Sequence, residues 1–171
     1  MLTMAQATDI LADVFGADRG RLRGVAKRLR GAGMLPVAKG RDIPQANPGR
    51  MALMVIGLGI SDPERIGELA DMRVFDQVPG DSDQTITLQQ TLGFMMSGLL
   101  DHPGQGIDAS LTLTVDGPSL GFIQRKGETW MQFCAGDLAK GYINTTTHIA
   151  LQPLTDFCTR ARVTQPPYKV T

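Results

Sequence analysis

Apolar residues recur every three to four positions through most of the first hundred residues, and every second position through much of the remainder. That change of period predicts helices first and strands later. A first helix is expected over residues 4–15, with Thr3 as N-cap and Ala7, Ile10, Leu11 and Val14 as its apolar stripe. Gly16-Ala17 breaks it, and Asp18 can cap a second helix to about Gly31 whose buried face is Leu22, Val25, Ala26 and Leu29. Gly33-Met34-Leu35-Pro36 ends that helix, and an extended loop follows over residues 37–46. Asn47-Pro48 opens a third helix that is apolar nearly all round, which places it in the core or in a subunit interface. Ser61-Asp62-Pro63-Glu64 reads as a capping box for a fourth helix to about Met72. Residues 78–83 read as a loop, and Thr87-Leu88-Gln89-Gln90 as a second capping box, opening a helix that stops before His102-Pro103-Gly104.

Beyond residue 104 the pattern alternates. Ala109, Leu111, Leu113 and Val115 interleave with Ser110, Thr112 and Thr114, a half-buried strand. Asp116-Gly117-Pro118 turns into a strand over residues 120–125, Lys126-Gly127 turns into another over 129–134, and residues 143–151 alternate once more. Pro153 opens a closing helix with Leu154, Phe157, Cys158 and Ala161 inward, and the tail from Val163 is expected to be extended or loose. The expected class is α+β: an N-terminal helical helix-turn-helix domain followed by a small antiparallel sheet with packed helices. The expected division is 1–60 for the helix-turn-helix domain, 61–103 as a helical linker or oligomerisation segment, and 104–171 for the sheet and closing helix.

Composition narrows the class. The 171 residues are 42% hydrophobic but only 5% aromatic, so the core is aliphatic with nine methionines filling gaps. Two cysteines, Cys134 and Cys158, do not make a disulfide framework and are expected to be reduced, partly buried thiols. The N-terminal sequence does not read as a signal peptide, and the most apolar window, residues 51–60, is about half a membrane span. A soluble, cytoplasmic protein with no membrane partner is expected.

Net charge is zero overall, yet residues 1–50 carry nine basic and four acidic side chains, and residues 51–100 two basic and seven acidic. Eight lysines and arginines and no acid lie between Arg19 and Arg41. On a wheel at about 100° per residue, Gly20, Gly24 and Gly31 lie opposite the apolar face of the second helix. Arg23 and Lys27 flank them on one side, with Arg19 and Arg30 nearer the core edge; Arg21 and Arg28 flank them on the other. Each internal glycine costs a helix about 1 kcal/mol against alanine. A strip without side chains between basic rows lets a helix approach a polyanion closely, so double-stranded DNA is the expected partner. The start of such a helix enters the groove, which puts Arg19, Arg21 and Arg23 near bases and leaves Lys27, Arg28, Arg30, Lys39 and Arg41 for phosphates. Arg50 completes the candidate set at the head of the third helix, and Lys39-Gly40-Arg41 is placed as a wing or arm.

The runs MAQATDILADVFG and ADRGRLRGVAKRLRGAGMLP, within residues 3–36, resemble the helix-turn-helix proteins of bacterial regulators and phage genomes. The usual unit carries a further helix ahead of these two; here the supporting helix is expected from Pro48 onward. The resemblance implies a sequence-specific transcriptional regulator of phage or prophage type, acting as a homo-oligomer, a dimer by preference, with the sheet domain dimerising or receiving a protein partner. Two other classes compete. Small terminase subunits of tailed phages are similar in length and in an N-terminal helix-turn-helix; a protein-binding inhibitor or adaptor would use the same basic helix against an acidic surface.

No enzyme and no cofactor is expected. His102 and His148 have no Cys, Asp or Glu at ligand spacing, so no metal is expected; Gly57-Leu58-Gly59 lacks a dinucleotide site's third glycine, and Ser97-Gly98 is no nucleophile elbow. Asp81 and Asp83 read as solvated turn acids, and Trp130, in a predicted central strand, as a core residue.

Overall fold

Side-chain caps set most of the helix starts. In the computed structural model, which describes residues 2–40, 42–74, 86–102, 105–116, 119–135 and 145–163, Thr3 and Gln6 close a capping box ahead of α1 (Met4–Val14). Asp18 accepts the Arg21 N–H ahead of α2 (Arg19–Gly31), and Asn47 accepts that of Arg50 ahead of α3 (Pro48–Gly59). The cap of α4 (Pro63–Ala70) differs from expectation. Asp62, not Ser61, is the N-cap, and its carboxylate takes the Arg65 N–H at 3.3 Å, so the expected Ser61–Glu64 box is replaced by a single acceptor one residue later. Thr87 and Gln90 do close the predicted box ahead of α5 (Leu88–Asp101).

The sheet is antiparallel throughout. A two-residue strand, β1 (Arg73–Val74), stands at one edge, followed in space by β4 (Glu128–Ala135), β3 (Ser119–Arg125), β2 (Ala109–Thr114) and β5 (Thr146–Ala150). Sequence patterning did not find β1, because two residues cannot display an alternation. Lys126 and Gly127 both have positive φ (52° and 82°), the two-residue turn whose twist matches the β3–β4 hairpin. Leu111 faces Ile123 on one side and Ile149 on the other, so one sheet face carries a buried aliphatic row. The opposite face carries Ser110, Thr112, Gln124 and His148, with the Thr112 hydroxyl 2.8 Å from His148 Nδ1.

The helices cover the aliphatic face, and α6 (Pro153–Val163) packs on α1 and α5. Leu154, Phe157, Cys158 and Ala161 are buried, as their spacing predicts. All three expected segments, 1–60, 61–103 and 104–171, contribute to one hydrophobic cluster running from Leu2 to Ala161. Arg65 of α4 fastens the helical layer to the sheet. Its side chain is only 12% exposed and donates to the Ser119 hydroxyl at 2.7 Å, to the Thr114 carbonyl and hydroxyl at 3.2 and 3.1 Å, and to Glu68. The buried hydroxyls of Thr114 and Ser119 therefore have partners.

One core assignment is corrected. Trp130 is 52% exposed. Ile123 pairs with Met131 while Gln124 pairs with Thr129, so Trp130 is the extra residue of a β-bulge and leaves the regular alternation. The loop of residues 78–83, the turn at Gly117-Pro118, Pro103-Gly104, Ile143 and the tail from residue 164 fall outside the described residues.

Candidate nucleic-acid interface

Gly16 makes the corner between α1 and α2. Its φ of +60° suits glycine, and its N–H donates to the Asp13 carbonyl at 3.2 Å while Ala17 donates to Ala12 at 2.8 Å. Together these bonds satisfy the last carbonyls of α1. The same pair of bonds, Gly33 to Arg30 and Met34 to Leu29, closes α2. Leu22, Val25, Ala26 and Leu29 are buried as the stripe predicts. Behind them α3 supplies the supporting helix: a Cβ on Gly57 would sit 2.7 Å from Val25 Cγ1, so the missing side chain is what lets the two helices meet. On its other flank α1 is braced by α6.

The outward strip of α2 is open. A Cβ on Gly31 meets nothing within 4 Å, one on Gly24 meets only the Arg28 guanidinium at 3.7 Å, and one on Gly20 meets only the Asp18 carboxylate at 3.3 Å. The cations around the strip fall into two groups. Arg19 grips Asp13 through Nε and Nη2, both at 2.7 Å, and Arg23 grips Asp9 at 2.8 and 2.6 Å. These two-pronged pairs tie α2 to α1. Hydrogen bonding from Arg23 holds the Asp9 carboxyl below its ordinary range; burial opposes it, and the charges of Arg23 and Arg19 add to the lowering. The hydrogen bonds that Asp13 and Asp9 accept, and then the charges of these carboxylates, raise the already high pKa values of Arg19 and Arg23.

Arg19 and Arg23 are thus not free to read base edges without giving up their α1 carboxylates. Arg21 and Lys27 are exposed and, among the described residues, take no ion pair. Arg28 is exposed and donates through Nε alone, to the Ser61 carbonyl at 3.0 Å, and Arg30 is half-buried in the last turn. The aspartate pairing was missed in the sequence, although Asp9 and Asp13 stand four apart on α1, a spacing that shares one helix face.

The arm after α2 has a small turn of its own. Lys39 and Asp42 exchange two backbone bonds, at 3.3 and 3.0 Å, across Gly40 with φ +58°. Lys39 is exposed there, as are Val37 and Ile43. Arg41 lies outside the described residues. The returning strand is pinned to the N-terminus by Met4 N–H to Pro44 O at 3.0 Å and Ala46 N–H to Leu2 O at 2.8 Å. Arg50 serves that anchoring: it is half-buried and donates to the Gln45 carbonyl at 2.6 Å.

Among the described residues no group of three or more His, Cys, Asp or Glu side chains could hold a metal ion, and no helix is long and apolar enough to cross a membrane. No protein-family model, curated protein or solved structure matches the chain.

Proposed function

We propose that the chain binds double-stranded DNA through the outward face of α2 and acts as a dimeric transcriptional regulator. The observation that carries this reading is the open glycine strip of α2, rimmed by Arg21, Lys27 and Arg28, with a cation-bearing turn at Lys39 directly after it. A helix surface without side chains at its crest lets a backbone or groove wall approach to van der Waals distance, and the flanking cations meet phosphates. Arg21, Lys27, Arg28, Arg30 and Lys39 are the phosphate contacts of this proposal, with Arg21 and Lys27 beside the groove. Arg19 and Arg23 hold the two helices in register rather than touching DNA.

The pairing of two arginines lowers the expected electrostatic contribution. With Arg50 anchored to the Gln45 carbonyl, five candidate cations remain among the described residues, Arg21, Lys27, Arg28, Arg30 and Lys39, which gives a log–log salt slope of about −4.5 per protomer at about −0.9 per phosphate contact. So shallow a dependence makes two-fold symmetry useful, since two modules on adjacent half-sites double the contact. The test is a titration of the protein on a duplex library at two salt concentrations, with the oligomeric state read by light scattering. An Arg21→Ala/Lys27→Ala variant is expected to reduce the slope by about two per protomer. Equal binding by that variant, or no binding at low salt, overturns the proposal.

A further inference from the structure

The chain has only nine aromatic side chains, and among the described residues the two large ones left exposed, Phe94 at 66% and Trp130 at 52%, line the same groove. The groove is about 200 Å³ and lies between α5 and the β3–β4 hairpin, with Leu99, Ile107 and Ala109 at its floor and walls. Leaving two aromatic rings in water forgoes a burial worth about 1.5–3 kcal/mol for such a side chain. An aromatic-poor protein that does so twice within one groove has a surface waiting to be covered.

Two further features aim the groove at a ligand. The β-bulge at Trp130 adds one residue to β4 opposite β3, and so turns the indole toward α5 instead of following the strand's alternation. Arg125, the strand partner of Glu128 across the two-residue turn, stands over the indole with its guanidinium carbon 5.9 Å from the ring centre. Among the described residues Arg125 is the sole charged side chain lining the groove. An apolar trough with two ring faces and one cation at its rim is complementary to a flat apolar body carrying one negative charge. Its size suits one or two fused rings and not a folded domain.

We propose that this groove is a binding site for a small planar aromatic anion, with the ring stacked against Trp130 and Phe94 and the carboxylate on Arg125. The site is on the sheet half of the molecule and shares no residue with the α2 face, so it stands or falls separately from DNA binding.

Trp130 is the single tryptophan of the chain, so its indole N–H gives one side-chain resonance that reports the groove directly. The ¹⁵N-labelled full chain is titrated with indole-3-propionate and, separately, with uncharged indole-3-propionamide. Saturable movement of the Trp130 indole resonance by the acid is expected at about 1 mM or below, with the amide about fivefold weaker, the size of one exposed charge contact. Arg125→Gln, at an exposed position, is expected to erase the preference for the acid while leaving the thermal midpoint unchanged. Phe94→Ala is expected to weaken both probes. Absence of saturable movement, equal response to acid and amide, or an acid preference that survives Arg125→Gln each overturns the proposal.

Discussion

Placing a side chain on Gly24 separates what the α2 strip does for folding from what it does for binding. The structure fixes the sign of the first effect. A Cβ at Gly24 meets only the far end of the Arg28 side chain, at 3.7 Å, which is ordinary contact. Gly24→Gln therefore adds no clash and removes a helix-interior glycine, a gain of about 0.5–1 kcal/mol. For a chain of this length that raises the thermal midpoint by about 1–4 °C. The substitution also stands an amide-tipped side chain on the strip between Lys27, Arg21 and Arg28. If a duplex packs on that strip, the helix is held off the groove, and affinity falls by about tenfold, within the range of one lost base contact. Gln brings no charge, so the salt slope stays where it was. Differential scanning calorimetry and fluorescence anisotropy on labelled duplex give the two readouts. A more stable protein with undiminished DNA affinity would refute close approach at the strip, and a less stable one would refute the open setting of Gly24.

The remaining expectations use the same two kinds of contact. Gly57→Ala adds a Cβ 2.7 Å from Val25 Cγ1, a methyl that a β-branched side chain cannot swing away, so a clash of about 1–3 kcal/mol outweighs the helical gain; thermal melts should show destabilisation that Val25→Ala partly reverses. Asp9→Asn with Asp13→Asn releases Arg19 and Arg23, and should steepen the salt dependence of DNA binding by up to about two per protomer; an unchanged slope would mean these arginines point away from the duplex even when free. Asp9 is held below its ordinary value of 3.8, so its contribution to stability is present above that pH and is lost as pH falls through the lowered value. Asp9→Asn should accordingly flatten the acid limb of a pH–stability curve. Burial pushes the Cys158 thiol up to about 12, so at pH 8 an aromatic disulfide reagent should titrate the half-buried Cys134 in the folded protein and reach Cys158 only on unfolding.

Much of the fold was legible because it is written locally. Thr3, Asp18, Asn47 and Thr87 each cap the helix that the apolar spacing predicts, and each cap acts within three residues of itself. The strands of the main hairpin followed from alternation and a Lys-Gly turn. What was not legible depends on long-range arrangement. The docking of α6 on α1 joins the two ends of the chain, and no local pattern encodes it. Trp130 escapes the core because one extra residue in β4 shifts it, and a bulge has no composition signature in that stretch. The capture of Arg19 and Arg23 needed the orientation of α2 on α1. A basic run read alone assigns every cation to the outside, whereas the fold uses the edge nearest α1 for its own assembly.

That division of labour changes how the basic helix is to be understood. Six cations on thirteen residues repel one another, and α1 offsets part of this with two carboxylates placed along one edge. The paired Arg19 and Arg23 lie on the α1 side of the glycine strip, which also carries Lys27 and Arg30, while Arg21 and Arg28 lie on the opposite side. Among the described residues each side of the strip therefore keeps cations outside any ion pair, Lys27 and Arg30 on one and Arg21 and Arg28 on the other. A duplex seated over the strip would gain phosphate contacts along the Arg21–Arg28 rim and from Lys27 and Arg30, and would meet the paired Arg19 and Arg23 at the edge nearest α1. Docking would then be steered from both sides of the strip. The glycine crest leaves the angle of approach sterically open, because no side chain at Gly20, Gly24 or Gly31 props the helix in a single pose.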